Sequence, residues 1–499
     1  MKTEAVAVFD IGKTNKKITV YDPDLKLLEK QTRNFESRIV DGVELEPIDE
    51  VREWLLDGLA RLAERFTFVS IAITTHGASV VTLDKDGSIA CPVVSYTSPV
   101  EESLRERFYA LAGDPVDLQR TTATVELQPL INPAKLLFFT KERWPEEFAR
   151  VRQVLFLPQY FAYVLTGAVS ADYTYVGCHT YLWDFARWDW SDVATALGIE
   201  AALPGTPRRS WEAAGSVTPA IAERCGIDEG IPVTVGIHDS NASLLPYLLK
   251  RTDQQFVLNS TGTWCVAMHP DREVSFGKDE LGKSVFFNIS AFGKPVKTTL
   301  VLGGLEFETY STILKELHST DELPEFNKTL YQRVIDQRRH FIVPGVLPGT
   351  GQFPRSRARI MDGEREYPLE TIRSGEIVPP LLQDLPAAFA TLNLSIAIQS
   401  KIALERVGLG PGMEIFTEGG FRHNLDYNIL LASFFPENPV YLTGMEEATS
   451  FGAAITGLAV RDRSDPAAYA DLFDIETFEV KPESFDGLAE YEAAFRALT

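Results

Sequence analysis

Residues 232–247, PVTVGIHDSNASLLPY, constrain the chain more than any other stretch. An apolar β-type run, Val233-Thr234-Val235, stops at Gly236. His238 and Asp239 follow, and Ser240-Asn241-Ala242-Ser243 leads into an apolar segment. This succession reads as a strand end, a tight turn holding a carboxylate, and a helix opened by a small polar cap. Such a turn aims one ionised side chain into a cleft beside the positive end of a helix. The stretch lies near the middle of 499 residues, where a hinge between two similar halves would fall. A chain of this length holds two domains or more, because single cores rarely grow past about 250–300 residues.

Each half opens on a hairpin with a small polar tip. In the first, Val6–Phe9 breaks at Asp10-Ile11-Gly12 and resumes as Ile18–Tyr21 before the turn Asp22-Pro23-Asp24. The Gly12-Lys13-Thr14 inside it suggests a P-loop, but the required earlier glycine is Ala7 and the following residues are β-branched and aromatic, not helical. A tip of Asp, Gly, Lys, Thr and Asn can still cradle phosphate with N–H and ammonium groups. In the second half, strand Gln255–Leu258, the tip Asn259-Ser260-Thr261-Gly262-Thr263 and strand Trp264–Met268 repeat the pattern, though little of the identity.

Between these hairpins the period alternates. Val51–Phe66 is helical, Phe68–Thr74 is a strand ending in Thr75-His76-Gly77-Ala78-Ser79, and Leu155–Gly167 is a buried segment followed by a helix that stops at glycine. The span Tyr173–Trp190 is aromatic and irregular, and residues 320–380 read as charged and Pro-rich loops. A long helix is expected over Leu385–Val407. Strand Glu414–Thr417 then runs into Glu418-Gly419-Gly420-Phe421-Arg422-His423-Asn424, where glycines let a flat ligand approach backbone and the next helix offers its N-terminus. Strand Val440–Leu442 and a helix from Ala448 complete an α/β pattern.

Composition narrows the partners. A net charge of −22 argues against nucleic acid or an anionic membrane surface. Cys91, Cys178, Cys225 and Cys265 are scattered without CxxC spacing, so neither a disulfide framework nor a structural zinc site is expected. The N-terminus lacks the apolar core of a signal peptide, and no stretch approaches about 18 apolar residues. A cytoplasmic enzyme is the expectation.

The pieces DIGKTNKK (10–17), GIHDSNA (236–242), NSTGTW (259–264), TEGGFRHN (417–424) and EATSFGAA (447–454), in that order, resemble the FGGY family of carbohydrate kinases within the actin-like ATPase superfamily. The resemblance spans nearly the whole chain and looks nearest to rhamnulokinase and fuculokinase-like members. It implies an α/β fold of two actin-like (ribonuclease-H-like) domains with an interdomain active-site cleft, divided here at 1–243 and 244–499. It implies Mg2+ on Asp10 and ATP phosphates facing Gly12, Lys13, Thr14, Asn15 and Lys17 from one tip and Thr261, Gly262 and Thr263 from the other. Gly419, Gly420 and Asn424 would border adenosine. Asp239 would take the proton of a sugar hydroxyl, with His76, Gly77 and His238 against the sugar. Among the Tyr173–Trp190 aromatics, Trp183 is the candidate to stack on it. Partners would be a small sugar and Mg-ATP, with a homodimer as the common assembly. Lys17 replaces the arginine of many members, giving a point charge in place of a fork, and THGAS departs from the glycerol and xylulose kinase pattern.

Plainer readings stand beside these. Asp239 fits a helix N-cap, Asp10 a turn residue, and His76 and His238 partly buried structural histidines. Lys13, Lys16 and Lys17 fit a solvated hairpin face, above all Lys16, whose side chain alternates away from its neighbours. The Tyr173–Trp190 aromatics fit a core. The expected activity is phosphorylation of a ketose or deoxyketose. The alternatives are a polyol kinase, a nucleotide-binding sensor on the same scaffold and, least in accord with the charge, an actin-type filament protein.

Overall fold

The computed structural model describes residues 2–127, 129–253 and 255–499. Its first sheet grows from the N-terminal hairpin. Strand Thr3–Ile11 pairs antiparallel with Asn15–Tyr21, which pairs antiparallel with Leu27–Asn34. On its other side Thr3–Ile11 runs parallel to Phe66–Thr75, which carries Pro232–Thr234 and Ile237–His238 in parallel, and Ala213–Ser216 closes the edge antiparallel. The strand after the first tip removes the P-loop reading, which needs a helix there.

The second sheet repeats that plan. Phe256–Thr261 pairs antiparallel with Cys265–Pro270, which pairs antiparallel with Pro295–Val301; on the other side it runs parallel to Glu414–Gly419, then Val440–Thr443, and Thr477–Val480 closes the edge antiparallel. The duplication suggested by two polar tips thus extends through the strand order. Val285–Ile289 adds an outer strand. Inside the span read as loops, His340–Val343, Arg359–Asp362 and Arg365–Pro368 form a separate small sheet.

Apolar faces account for the layers. Helix Ile48–Ala63 buries Val51, Leu55, Leu59 and Leu62 at helical spacing against the first sheet. Helix Leu385–Arg406 is capped by Asp384, whose carboxylate accepts the Ala387 N–H at 3.1 Å. It is long and apolar enough by length and composition to cross a membrane, with mean hydropathy 1.3, and it is the almost wholly buried centre of the second half. Thr391, Asn393, Ser395, Gln399 and Ser400 interrupt the apolar run, and the hydropathy of their neighbours keeps the average high.

The halves interlock through two helices. Asp239–Lys250 packs against Ala448–Asp462, which lies on strands Thr3–Ile11 and Phe66–Thr75 of the first sheet. Ala242, Leu245, Ala453, Leu458, Val6 and Ala72 share one core there. The helix after the central turn begins at Asp239, with His238 at the N-cap and no side-chain cap bond. The expected polar cap is absent because the cap position falls on His238, ahead of the polar run, and its ring makes no cap bond.

Candidate active site in the interdomain cleft

A cavity of about 360 Å3 opens between the halves, within the size of small-molecule sites. At one end its wall carries His76, Gly77, Tyr96, His238 and Asp239; at the other, Ser260, Thr261, Gly262, Glu418 and Gly419. Trp264, Phe286, Ile131 and Leu300, contributed by both halves, form an apolar flank.

Three local structures place the first group. Strand Phe66–Thr75 delivers His76, whose N–H donates to the Ile11 carbonyl at 2.9 Å, tying THG to the first hairpin. The His76 Nδ1–H donates to the Gly77 carbonyl at 2.8 Å, and burial pushes its pKa below the usual imidazole value. His238 ends a strand beside Thr75, and its N–H donates to Thr174 Oγ1 at 3.0 Å. Burial drives the His238 pKa down to about 3, so the ring is neutral.

Asp239 has 32 % of its side chain exposed. Its Oδ1 accepts the Ser240 N–H at 2.6 Å and lies 3.4 Å from His238 Nδ1. Burial of the group raises its pKa, opposed by His76 and the Ser240 hydrogen bonds. As the first residue of the helix and not its cap, it does not follow the N-cap reading.

Asp10 is buried beside it. Its Oδ2 accepts Ser450 Oγ–H at 2.6 Å and lies 3.7 Å from Lys17 Nζ. Burial raises its pKa against the pull of Lys17, and the Asp239 charge adds to the rise. Lys17 is held at 2.7 Å by Glu447, which also takes Lys30 at 2.8 Å. A buried carboxyl with Oδ1 turned from these bonds suits a hydrated hard cation, which keeps several waters and takes one or two carboxylates.

The other expected contacts divide. Thr14, Asn15, Gly262, Thr263, Gly419 and Gly420 stand exposed on the two tips and the strand end. Gly12 closes its tip with an N–H to Asn15 O bond of 3.0 Å, as Gly262 does with Trp264 O. Gly419 has φ +78°, and a Cβ there would lie 2.0 Å from the Thr261 carbonyl oxygen, so only glycine fits. Thr261 donates its hydroxyl to the Glu418 carbonyl and accepts the Phe421 N–H at 2.9 Å, so it fastens the Gly419 turn. Asn424 caps helix Leu425–Phe434 through the Tyr427 N–H at 3.0 Å and donates to Asn393 at 2.8 Å, which commits its side chain to the fold.

Three expectations are corrected. Lys13 turns from the phosphate side to Glu46 Oε1 and Ser95 Oγ, each at 2.5 Å, because two carboxylates, Glu44 and Glu46, lie within its reach. Lys16 alternates away from its neighbours as expected, but inward: it is buried and donates to the Lys13 carbonyl at 2.7 Å. Trp183 is 2 % exposed and packs at 5.7 Å from both Trp188 and Trp190 and 6.0 Å from Tyr173, in the first core and off the cavity wall. The plain reading of those aromatics holds for it.

Two carboxyls were not singled out from sequence. Glu418 sits inside the quoted TEGGFRHN but had no role. It is 3 % exposed, accepts from Tyr247 Oη at 3.2 Å, and burial pushes its pKa to about 7. Its folded pKa exceeds the ordinary 4.5, so its stabilising contribution is complete below pH 4.5 and lost as pH rises through 7. Glu418 should account for about 3 kcal/mol of the stability lost across that window in chemical denaturation, and Glu418→Gln should lessen the wild-type loss by that amount. An unchanged slope in the variant would sink this account. Asp172, the second, is fully buried behind the His238 turn; no local motif marks it in the sequence.

Two ribonuclease-H-like halves closing over a cleft with carboxylates at its centre define the class of the actin-like phosphotransferases. Residues 5–246 match the FGGY family of carbohydrate kinases, N-terminal domain, and residues 253–466 match the carbohydrate kinase FGGY, C-terminal domain. The chain belongs to the FGGY family of carbohydrate kinases. It is 25 % identical to an L-fuculokinase of Escherichia coli (strain K12) over 474 residues, 92 % of either chain. It is 27 % identical to a rhamnulokinase of Yersinia pestis (strain Pestoides F) over 273 residues, about half of each (52 % and 53 %). The crystal structure of a carbohydrate kinase from Novosphingobium aromaticivorans superposes with TM-score 0.77 at 27 % identity, covering 100 % of this chain and 98 % of that one.

Proposed function

We propose that this carbohydrate kinase transfers the γ-phosphoryl group of Mg-ATP to a 6-deoxyketose, with Asp239 as general base. One observation carries the reading: Asp239 stands in a single cavity that has sugar-sized polar groups at one end and the second hairpin tip at the other. The sugar hydroxyl is too weakly acidic to ionise freely, so a base must accept its proton as the bond to phosphorus forms. Asp239 has Oδ1 engaged by Ser240, which leaves Oδ2 for that proton. His238 and the Gly77 backbone border the sugar, and helix Asp239–Lys250 sets its N-terminus toward the charge that develops.

Asp10 would hold Mg2+ through water, and the ion supplies neutralisation of phosphate charge. Lys17, 3.7 Å from Asp10, would meet the same phosphates. Gly419 and Gly420 are exposed and carry no side chain to block a flat base, in accord with adenosine there. The deoxyketose is favoured by the flank of Trp264, Phe286, Ile131 and Leu300, which gives a methyl group apolar contact in the cavity that His238 and Asp239 also line. The relatives named L-fuculokinase and rhamnulokinase agree with it.

An ADP-release assay with Mg-ATP against 6-deoxyketoses, ketoses and polyols tests the reading. The expected result is stimulation by a 6-deoxyketose at least about tenfold above the matching 6-hydroxy ketose, the worth of one well-buried methyl group. Equal stimulation by polyols would overturn the substrate class, and no stimulation by any sugar would overturn the acceptor.

A further inference from the structure

We propose that Cys178, His179 and His238 form a binding site for one soft divalent transition-metal cation of the Zn2+ class at the sugar end of the cleft. Their ligand atoms all lie within 4.8 Å of one another. Cys178 Sγ is 3.5 Å from His238 Nε2. A tetrahedral cation with bonds of about 2.3 Å to sulfur and about 2.0 Å to nitrogen separates those two atoms by about 3.6 Å, so this edge of the coordination shell already has its proper length.

The third ligand converges on the same point because residue 77 is glycine. A Cβ there would lie 2.6 Å from His238 Nε2 and 3.0 Å from His179 Nε2, so both rings aim these nitrogens into the space that a side chain would fill. All three residues are buried, yet all three line the cavity. An outer-shell partner stands near: Asp239 Oδ1 lies 3.4 Å from His238 Nδ1, a buried nitrogen with no hydrogen bond among the described residues, so Nδ1 is free to carry the proton and leave Nε2 as a lone-pair donor. One thiolate and two imidazoles select borderline and soft cations over Mg2+, whose oxygen ligand lies elsewhere at Asp10.

On binding, the Cys178 S–H bond breaks, its proton passes to bulk water, and an S–metal bond forms. His179 and His238 enter neutral and no electron moves. The fourth position of the tetrahedron faces the cavity. The cation thus lies where Gly77 and His238 border the sugar, and metal and sugar exclude one another; this last step rests on the proposed sugar site, whereas metal binding does not.

Titration of the full chain with Co2+ as the probe, followed by absorption, tests the site. The expected result is a 1:1 complex with tetrahedral d–d bands and a thiolate-to-cobalt charge-transfer band, both abolished by Zn2+. Cys178→Ser should remove the charge-transfer band and weaken binding by more than about 100-fold. His179→Ala should weaken it comparably; it carries the test if Cys178→Ser loses its cooperative thermal transition. Absence of the bands in the wild type, or their survival in a folded Cys178→Ser chain, overturns the proposal. In the ADP-release assay Zn2+ should raise the sugar KM without changing kcat; inhibition competitive with ATP alone would overturn the overlap with the sugar.

Discussion

An Asp239→Asn chain should lose about 10²–10⁴-fold in sugar-stimulated turnover, the usual worth of a positioned general base. Asparagine keeps the shape of the side chain and can still accept the Ser240 N–H, so the helix start at residue 239 should survive. What it removes is the oxygen able to take a proton. The loss should therefore fall on kcat, with the sugar KM little changed, since the missing interaction develops only as the hydroxyl is deprotonated. ATP affinity should be unchanged, because the tips and Gly419 are untouched. The wild-type profile supplies a second readout: burial raises the Asp239 pKa, so activity should fall on the acid side at a pH above the ordinary aspartate value of 3.8. Turnover retained in the variant would remove Asp239 from the chemistry, whatever the substrate.

Much of this architecture was legible in the chain because it rests on local signals. The two polar-tipped hairpins, the Gly236 turn and the glycine pair 419–420 are each set by residues within a few positions, and the strands around them kept the expected bounds to within two or three residues. The small sheet at 340–368 was not legible, since its short strands are embedded among turn-forming residues and owe their pairing to one another. Nor were the edge strand Val285–Ile289 and its neighbour Pro295–Val301, for which no local signal was read.

Side-chain direction was the harder part. The charge of Lys13 fitted either phosphate or solvent, and that of Lys16 fitted solvent. Lys13 meets Glu44 and Glu46 from a later strand and loop, whereas Lys16 turns inward and bonds the carbonyl of Lys13 itself. Ser450 and Glu447, which hold Asp10 and Lys17, arrive from the far end of the chain on a helix that crosses to the first sheet. No spacing rule relates them. The cluster of Cys178, His179 and His238 was invisible for the same reason: the scattered cysteines spoke only against a structural zinc site, and only the fold brings His238 to Cys178.

Asp172→Ala should be the most destabilising single change near the cleft. The Asp172 carboxylate, fully buried, accepts from five donors: Thr174 N–H at 2.8 Å, Thr174 Oγ–H, Tyr175 N–H at 3.3 Å, Gln159 Nε2–H at 3.1 Å and Ser210 Oγ–H at 3.2 Å. Burial still pushes its pKa up to about 6, so the donors only partly offset its desolvation. Alanine leaves those donors without an acceptor in a dry interior, at about 1–3 kcal/mol for each that finds no water. Hydroxyls rotate to other partners, so a net loss of about 3–5 kcal/mol is expected, read from denaturation midpoints. The damage should also reach the reaction. Thr174, fixed by Asp172 at both its N–H and its hydroxyl, accepts the His238 N–H at 3.0 Å, and Gln159 also donates to the Val235 carbonyl at 3.0 Å. These two bonds flank the turn that presents Asp239, so kcat should fall in the alanine variant at temperatures where it remains folded. Asp172→Asn, which keeps one acceptor oxygen, should recover most of both losses. An alanine variant within about 1 kcal/mol of wild type would show that this turn is held by its packing and not by the carboxylate.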